Sequence, residues 1–154
     1  VHNGLCGLRS RTEASLSSPI LSPVLALVCW TFVMWFWMYA TRIPAMRTAG
    51  LDPGKVKQKS DLDVLPLSVR QIADNYNHLH EQPVIFYALA FYCALAGTAD
   101  AVNVGLAWAY VGIRVVHSLY QSLVNFVPVR FVLFLLGSFA LIAMAVRNVA
   151  AALS

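Results

Sequence analysis

The chain has 154 residues, of which 59% are hydrophobic and only 12% are charged. A typical soluble domain is about 25% charged, so this composition excludes an ordinary water-soluble globular domain. The net charge of +4 does not indicate nucleic-acid binding, because the loop lysines stand beside aspartates and no aromatic-basic platform accompanies them. The apolar residues form runs that match the roughly 20 residues of a membrane-spanning helix. We therefore expect an all-α integral membrane protein of one domain.

The first 18 residues are polar and rich in Ser, and we predict a disordered tail there. The uncharged run of residues 19–41 follows. It is too long for a signal peptide and lacks a small-residue cleavage pattern, so it predicts a first membrane span that ends at Arg42. Aromatic residues collect toward its end, as is typical of a membrane interface.

The next segment, residues 42–66, contains several Pro and Gly residues and predicts a loop. A second helix is predicted from Leu67 to about Gly97, with a length of about 45 Å. This exceeds the hydrocarbon core, so its polar first half can line a cavity at one interface. Pro83 is expected to kink this helix or to open its backbone at Leu79, freeing a carbonyl group.

Two further spans are predicted at residues 101–124 and 129–146, joined by a tight turn. Short connections make neighbouring helices antiparallel. The fold class that we predict is an integral membrane four-helix bundle over residues 19–150.

Lys and Arg residues are distributed unevenly between the predicted loops. One side holds Arg42, Arg47, Lys55, Lys57, Lys59, Arg70 and Arg130, and the other holds Arg9, Arg11 and Arg147. The positive-inside rule therefore places the first and third loops in the cytoplasm.

Two stripes of polar residues recur at helical spacing in the second and third predicted helices. They consist of Arg70, Asp74, Asn77 and Glu81, and of Arg114, His117 and Gln121. Residues at such spacing share one helix face, and ionisable groups at membrane depth normally face the bundle interior or a wet cavity. The stripes therefore predict a polar site between helices.

Glu81 needs a cationic partner if the bilayer shields it, and Arg114 is the expected one. A purely structural ion pair is an equal alternative. His117 could act as an acid or base, bind a ligand or form an interhelical hydrogen bond. No metal site is predicted, because His78 and His80 point away from each other on a helix. The scattered cysteines, Cys6, Cys29 and Cys93, indicate neither a disulfide framework nor a metal site.

Three motifs together resemble the MAPEG family, the membrane-associated proteins of eicosanoid and glutathione metabolism. They are Asn77…Glu81-x-Pro83, Arg114-Val-Val-His117 and Val127-Pro128-Val129-Arg130. The resemblance implies a homotrimer that binds glutathione as a co-substrate between neighbouring subunits. It assigns Arg130 to the glutathione thiolate. It assigns contacts with glutathione to Arg42, Asn77, Glu81, Arg114, His117 and Gln121.

The chain departs from the prostaglandin- and leukotriene-forming members at two points. Gln121 stands where those members tend to have a tyrosine, and the spacing from Asn77 to Glu81 is longer by one residue. These departures indicate a divergent, bacterial-type branch and an inner-membrane location.

The leading hypothesis is a glutathione-dependent transferase or peroxidase that acts on a lipophilic electrophile, with Arg130 as the catalytic residue. A non-enzymatic lipid-binding or scaffold protein of the same family is the alternative. A small transporter is a third hypothesis, but the sequence lacks an inverted repeat or a pair of broken spans.

Overall fold

A computed structural model describes residues 18–153 of the chain, and this part is helical without β-strands. The predicted tail lies outside the described residues except for Ser18, as do Cys6, Arg9 and Arg11. The five α-helices of the described part are α1 (Leu21–Thr48), α2 (Leu67–His78), α3 (Pro83–Ala96), α4 (Ala101–Leu123) and α5 (Val127–Leu153). Because α2 and α3 together form the second helix of the bundle, the predicted all-α four-helix membrane bundle is confirmed.

Three helices, α1, α4 and α5, are long and apolar enough to cross a membrane. The chain is therefore an integral membrane protein. Helix α3 has 14 residues and a length of about 21 Å, which covers only part of a hydrocarbon core of about 30 Å.

The second predicted helix is interrupted, and the prediction of one continuous helix was wrong. Helix α2 ends at His78, residues 79–82 form turns, and α3 begins at Pro83. Proline has no N–H, and its ring clashes with the carbonyl group four residues earlier, here that of Leu79. The first position of a helix tolerates both properties. The predicted disruption by Pro83 is thus present, but it is a full break.

Two helices extend further than predicted. Helix α1 continues past Arg42 and through Pro44 to Thr48, and α5 begins at Val127 and continues past Arg147. Arginine has a high helix propensity, so a charged residue marks the end of an apolar segment rather than the end of the helix. The predicted third span agrees with α4 to within one residue.

Two apolar cores hold the bundle together. In the larger core, Phe86 of α3 stacks on Tyr110 of α4, with ring centroids 4.8 Å apart, and residues of α1 and α5 surround this pair. The smaller core joins α1 to the α2 region through Met34, Met38, Ile72 and Leu79. Helix α2 is therefore held by apolar packing on its α1 side, which leaves its other side for polar contacts.

Candidate functional site

A row of polar contacts fixes α2 against the end of α4. Gln71 Nε2 donates to the carbonyl oxygen of Ser122 at 2.6 Å, and Asn75 Nδ2 donates to Ser118 Oγ at 2.6 Å. All four residues are buried. Their spacing of four residues on each helix matches one face of an antiparallel pair. This seam determines how the remaining polar side chains of α2 and α4 meet.

Arg114 continues the seam at the break between α2 and α3. Its Nη2 donates to the carbonyl oxygen of His78 at the end of α2, which also accepts a hydrogen bond from the backbone N–H of Glu81 at 3.4 Å. Its Nη1 donates to Nδ1 of His117 at 3.3 Å. Both side chains are only 4% exposed. The buried guanidinium of Arg114 thus binds the last carbonyl group of α2.

The predicted ion pair between Glu81 and Arg114 is absent, and this expectation was wrong. Glu81 Oε2 lies 2.9 Å from Nδ1 of His78, and the Glu81 side chain is 65% exposed. The break at residues 79–82 turns Glu81 outward, where it has no need of a buried cation. His80 Nδ1 contacts the carbonyl oxygen of Tyr76 at 2.9 Å.

A polar cavity of about 360 Å³ opens beside the seam. It is bordered by the first loop, α2 with the turn after it, and the connection between α4 and α5. The lining residues are Lys59, Gln71, Asp74, Asn77, His78, Glu81, Gln121, Asn125 and Arg130. Four of the seven residues that sequence reasoning assigned to the site therefore lie around one cavity.

Arg130 enters this cavity from the first turn of α5. Asn125 adopts a left-handed conformation with φ of 58°, which asparagine tolerates better than most residues. Its Oδ1 accepts a hydrogen bond from Arg130 Nη1 at 2.6 Å. The turn between α4 and α5 therefore orients the guanidinium, while Arg130 has no ion pair with a described carboxylate.

Several buried polar atoms at this end of the bundle lack a hydrogen-bond partner. Within the described residues they are Arg70 Nε, Arg114 Nε, His117 Nε2, Gln121 Oε1, Ser122 Oγ and Arg130 Nε. An unpaired buried polar atom costs about 1–3 kcal/mol, so native proteins seldom tolerate a cluster of them. Two of these residues, Gln121 and Arg130, line the polar cavity, which is typical of a site that completes its hydrogen bonds with a ligand.

Arg42 lies apart from this group. It borders a smaller cavity of about 110 Å³ on the α1 side, whose wall shares Lys59, Asp74 and Asn77 with the larger cavity. Lys59 Nζ and Asp74 Oδ1 form an ion pair at 2.6 Å in that shared wall. Within one chain, Arg42 and Arg130 are therefore in neighbouring cavities.

An apolar groove of about 480 Å³ runs from Glu81 between α3 and α5. Ile85, Leu89, Phe134 and Ile142 are among its lining residues. Glu81 belongs to the walls of both the groove and the polar cavity. A polar compartment and an apolar one thus meet at this residue.

The opposite end of the bundle carries polar residues that bind one another. Arg147 Nη2 lies 2.6 Å from Asp100 Oδ2, and Asn148 accepts a hydrogen bond from Thr98 at 2.5 Å. The backbone N–H of Asn103, which donates to Asp100, and the adjacent guanidinium of Arg147 hold the pKa of the Asp100 carboxyl below its ordinary value. We call this group the distal clasp. Its contacts join the turn between α3 and α4 to α5.

Sequence reasoning missed several residues of the site. Gln71 and Asn75 form the seam, whereas the predicted stripe that begins at Arg70 faces outward or toward the cavities. The spacing from Gln71 through Asn75 to His78, matched by Ser118 and Ser122, was a visible signal. Lys59 and Asn125 gave no such signal, because they lie outside α2 and α4, and only the folded path of the chain brings them to the cavity.

These features define a polytopic helical membrane protein with a polar cavity at one end of the bundle. The sequence model of the MAPEG family matches residues 20–150. The chain belongs to the MAPEG family, as its motifs predict. No curated protein and no solved structure matches it.

Proposed function

We propose that this protein is a membrane-bound glutathione-dependent transferase or peroxidase acting on lipophilic electrophiles, with Arg130 stabilising the glutathione thiolate. The observation that carries the proposal is that Arg130 and Gln121, each with an unpartnered buried polar atom, lie in the wall of one polar cavity. Membership of a family that generally uses glutathione supports the choice of thiol.

The charges of the cavity suit glutathione. At neutral pH this tripeptide carries two carboxylates, one ammonium group and a thiol. The cavity offers Lys59 and Arg130 as cations, and Asp74 and Glu81 as anions. Asn77 and Gln121 add amide groups that can pair with peptide bonds. A volume of about 360 Å³ also falls within the usual range of small-molecule sites, about 300–1,000 Å³.

Arg130 has the chemistry required of the catalytic residue. A cation beside a thiol lowers the pKa of that thiol by favouring the thiolate. The thiolate sulfur then attacks an electrophilic carbon, and a sulfur–carbon bond forms as the leaving group departs with its electron pair. With a lipid hydroperoxide, the same attack breaks the O–O bond and yields an alcohol and the glutathione sulfenic acid. A second glutathione then converts the sulfenic acid into the disulfide and releases water.

The apolar groove is the proposed route for the electrophile. It is bordered by α3 and α5 and reaches the polar cavity at Glu81. A lipophilic molecule could therefore enter from the bilayer while its reactive group approaches the sulfur. Holding both reactants in this geometry supplies a further part of the acceleration.

The remaining candidate residues do not line the polar cavity, and we propose indirect roles for them. Arg114 and His117 are buried and do not line the cavity, so we propose that they act on glutathione indirectly, by fixing the end of α2 that carries Asn77. Arg42 is separated from the cavity by the wall of Lys59 and Asp74. It would contact a glutathione carboxylate only across that wall.

We further propose a homotrimer in a bacterial inner membrane, with the cavity end in the cytoplasm. Lys59 of the first loop and Asn125 of the third line the same cavity, so both loops are on one side, and the positive-inside rule favours the cytoplasm. Exposed Ala88 and Ala96 on α3 permit close approach of a neighbouring helix. The mass of the protein in detergent tests this assembly, and a stable monomer would contradict it.

Calorimetry of the detergent-purified protein with glutathione tests the function. We expect binding at millimolar or lower concentration, together with an ultraviolet thiolate absorbance that persists well below the ordinary thiol pKa of about 8.5. S-Methylglutathione, which cannot form a thiolate, is the matched control ligand. Absence of glutathione binding would instead favour a lipid-binding or scaffold protein.

A further inference from the structure

The smaller cavity beside α1 has an excess of positive charge. Three cations border it together with two carboxylates. These are Arg42, Lys59 and Arg70, and Asp63 and Asp74. One positive charge in the wall is therefore not balanced by a carboxylate of the cavity.

The two carboxylates already have partners. Asp74 pairs with Lys59 at 2.6 Å, and Asp63 pairs with Arg70 Nη1 at 2.8 Å. Arg42 has neither an ion pair nor a hydrogen bond through its side chain to any described residue. An anion that enters the cavity would therefore find the free guanidinium of Arg42.

Apart from Asn77, the other lining residues are apolar: Leu62, Leu65, Val69 and Ala73. Arg42 directly follows the uncharged part of α1, a position at which an arginine reaches the level of lipid headgroups. A volume of about 110 Å³ is well below the roughly 300 Å³ of the smallest usual ligand pockets. The cavity can accept an anionic group, with the rest of its molecule outside, but not a whole tripeptide.

We propose that this cavity binds the phosphate diester of an anionic membrane lipid. Arg42 would bind the phosphate oxygens, since a guanidinium matches a phosphate with two parallel hydrogen bonds. The apolar wall would contact the glycerol and the first methylene groups. Free phosphate presents the same oxygens but leaves that wall uncovered. The proposal does not rest on the glutathione-dependent activity.

Native mass spectrometry of the detergent-solubilised protein tests the site, with phosphatidylglycerol as the probe. We expect one retained lipid per chain, and about tenfold weaker retention in Arg42→Gln, because this variant loses a charge-assisted hydrogen bond to the phosphate. Because Arg42 has no partner among the described residues, this variant should fold normally. Arg47→Gln is the matched control, since Arg47 is exposed on the same helix and outside the cavity.

Three outcomes would overturn the assignment. Equal losses in Arg42→Gln and Arg47→Gln would show general attraction to a basic surface rather than a site. Displacement of the lipid by millimolar inorganic phosphate would identify a free-phosphate site. Loss of glutathione binding without loss of lipid in Arg42→Gln would place Arg42 in the thiol site. Arg130→Ala should retain the lipid, so failure of the proposed enzymatic activity would not remove this prediction.

Discussion

The two ends of the bundle use similar residue types in opposite ways. At the distal clasp, Asp100, Arg147 and Asn148 are bound to one another or to neighbours. At the cavity end, Arg130 and Gln121 retain unpaired buried atoms, and Gln121 lies about 32 Å from Asp100 along α4. Polar groups that satisfy one another stabilise a fold, whereas groups left open are available to a ligand. Matched substitutions at the two ends can test this distinction.

The largest effect is expected from the two arginines. Arg130→Ala should lower the conjugation of a generic aryl halide about 100- to 1,000-fold, the usual result of removing one stabilising donor from a reacting anion. Its melting temperature should change little. Arg147→Ala should keep the activity and lower the melting temperature, because it breaks the ion pair with Asp100.

Arg130→Lys refines this comparison. A lysine at this position should restore only part of the activity, because a point charge cannot reproduce the planar guanidinium. Parent-like activity and thiol titration in Arg130→Ala would show that Arg130 is a lipid anchor and would contradict the mechanism.

Substitution of the two buried amides, Asn148 and Gln121, should lower the unfolding free energy by different amounts. Asn148→Ala removes the acceptor of Thr98 and the donor to the Met144 carbonyl oxygen, and we expect a loss of about 1–3 kcal/mol in unfolding free energy. Gln121→Ala removes an oxygen that has no partner and should cost less while weakening glutathione binding. Denaturant unfolding and calorimetry measure the two quantities. A larger stability loss in Gln121→Ala would contradict the assignment of the two ends.

Glu81 provides a smaller test. A buried pair with Arg114 would make Glu81→Ala cost about 3–5 kcal/mol, but the exposed pair with His78 should be worth less than about 1 kcal/mol. The losses of unfolding free energy in Glu81→Ala and Arg114→Ala should therefore add in the double variant. Recovery of stability in the double variant would show that the two groups are coupled after all.

The smallest effect concerns the pH dependence of the distal clasp. Because the pKa of Asp100 is lowered in the folded protein, its carboxylate stabilises the fold above the ordinary pKa of about 3.9. That contribution is lost as the pH falls through the lowered pKa. Asp100→Asn should keep the helix cap but melt lower than the parent at pH 7, with the difference shrinking in acid. A difference that is constant with pH would exclude a role for the charge.

The sequence predicted the long helices well and the second helix poorly. Apolar runs report membrane spans because the bilayer imposes their length, so α1, α4 and α5 were found with errors only at their ends. The second helix is broken before Pro83, and Arg114 of α4 binds the His78 carbonyl group at that break. Sequence spacing alone cannot supply that interhelical contact.

The sequence likewise predicted some residues of the candidate site correctly and missed others. Asn77, Glu81, Gln121 and Arg130 were identified by motif and spacing and do line one cavity. The pairing of Glu81 was wrong because periodicity assumes an uninterrupted helix. Seam residues such as Gln71 and Asn75 were passed over in favour of charged neighbours. Polarity shows which residues need partners, but not which of them meet.

By itself, the sequence determined that this is an all-α membrane protein of the MAPEG family, because hydrophobic run length and short motifs are local properties of the chain. Only the tertiary structure decided that Arg114 binds the His78 carbonyl oxygen, that Arg42 and Arg130 lie in neighbouring cavities and that Lys59 joins their shared wall. These contacts join distant segments, and they depend on how the helices pack and where α2 breaks. The physical reason is that a buried polar group takes whichever partner the packed helices bring within reach.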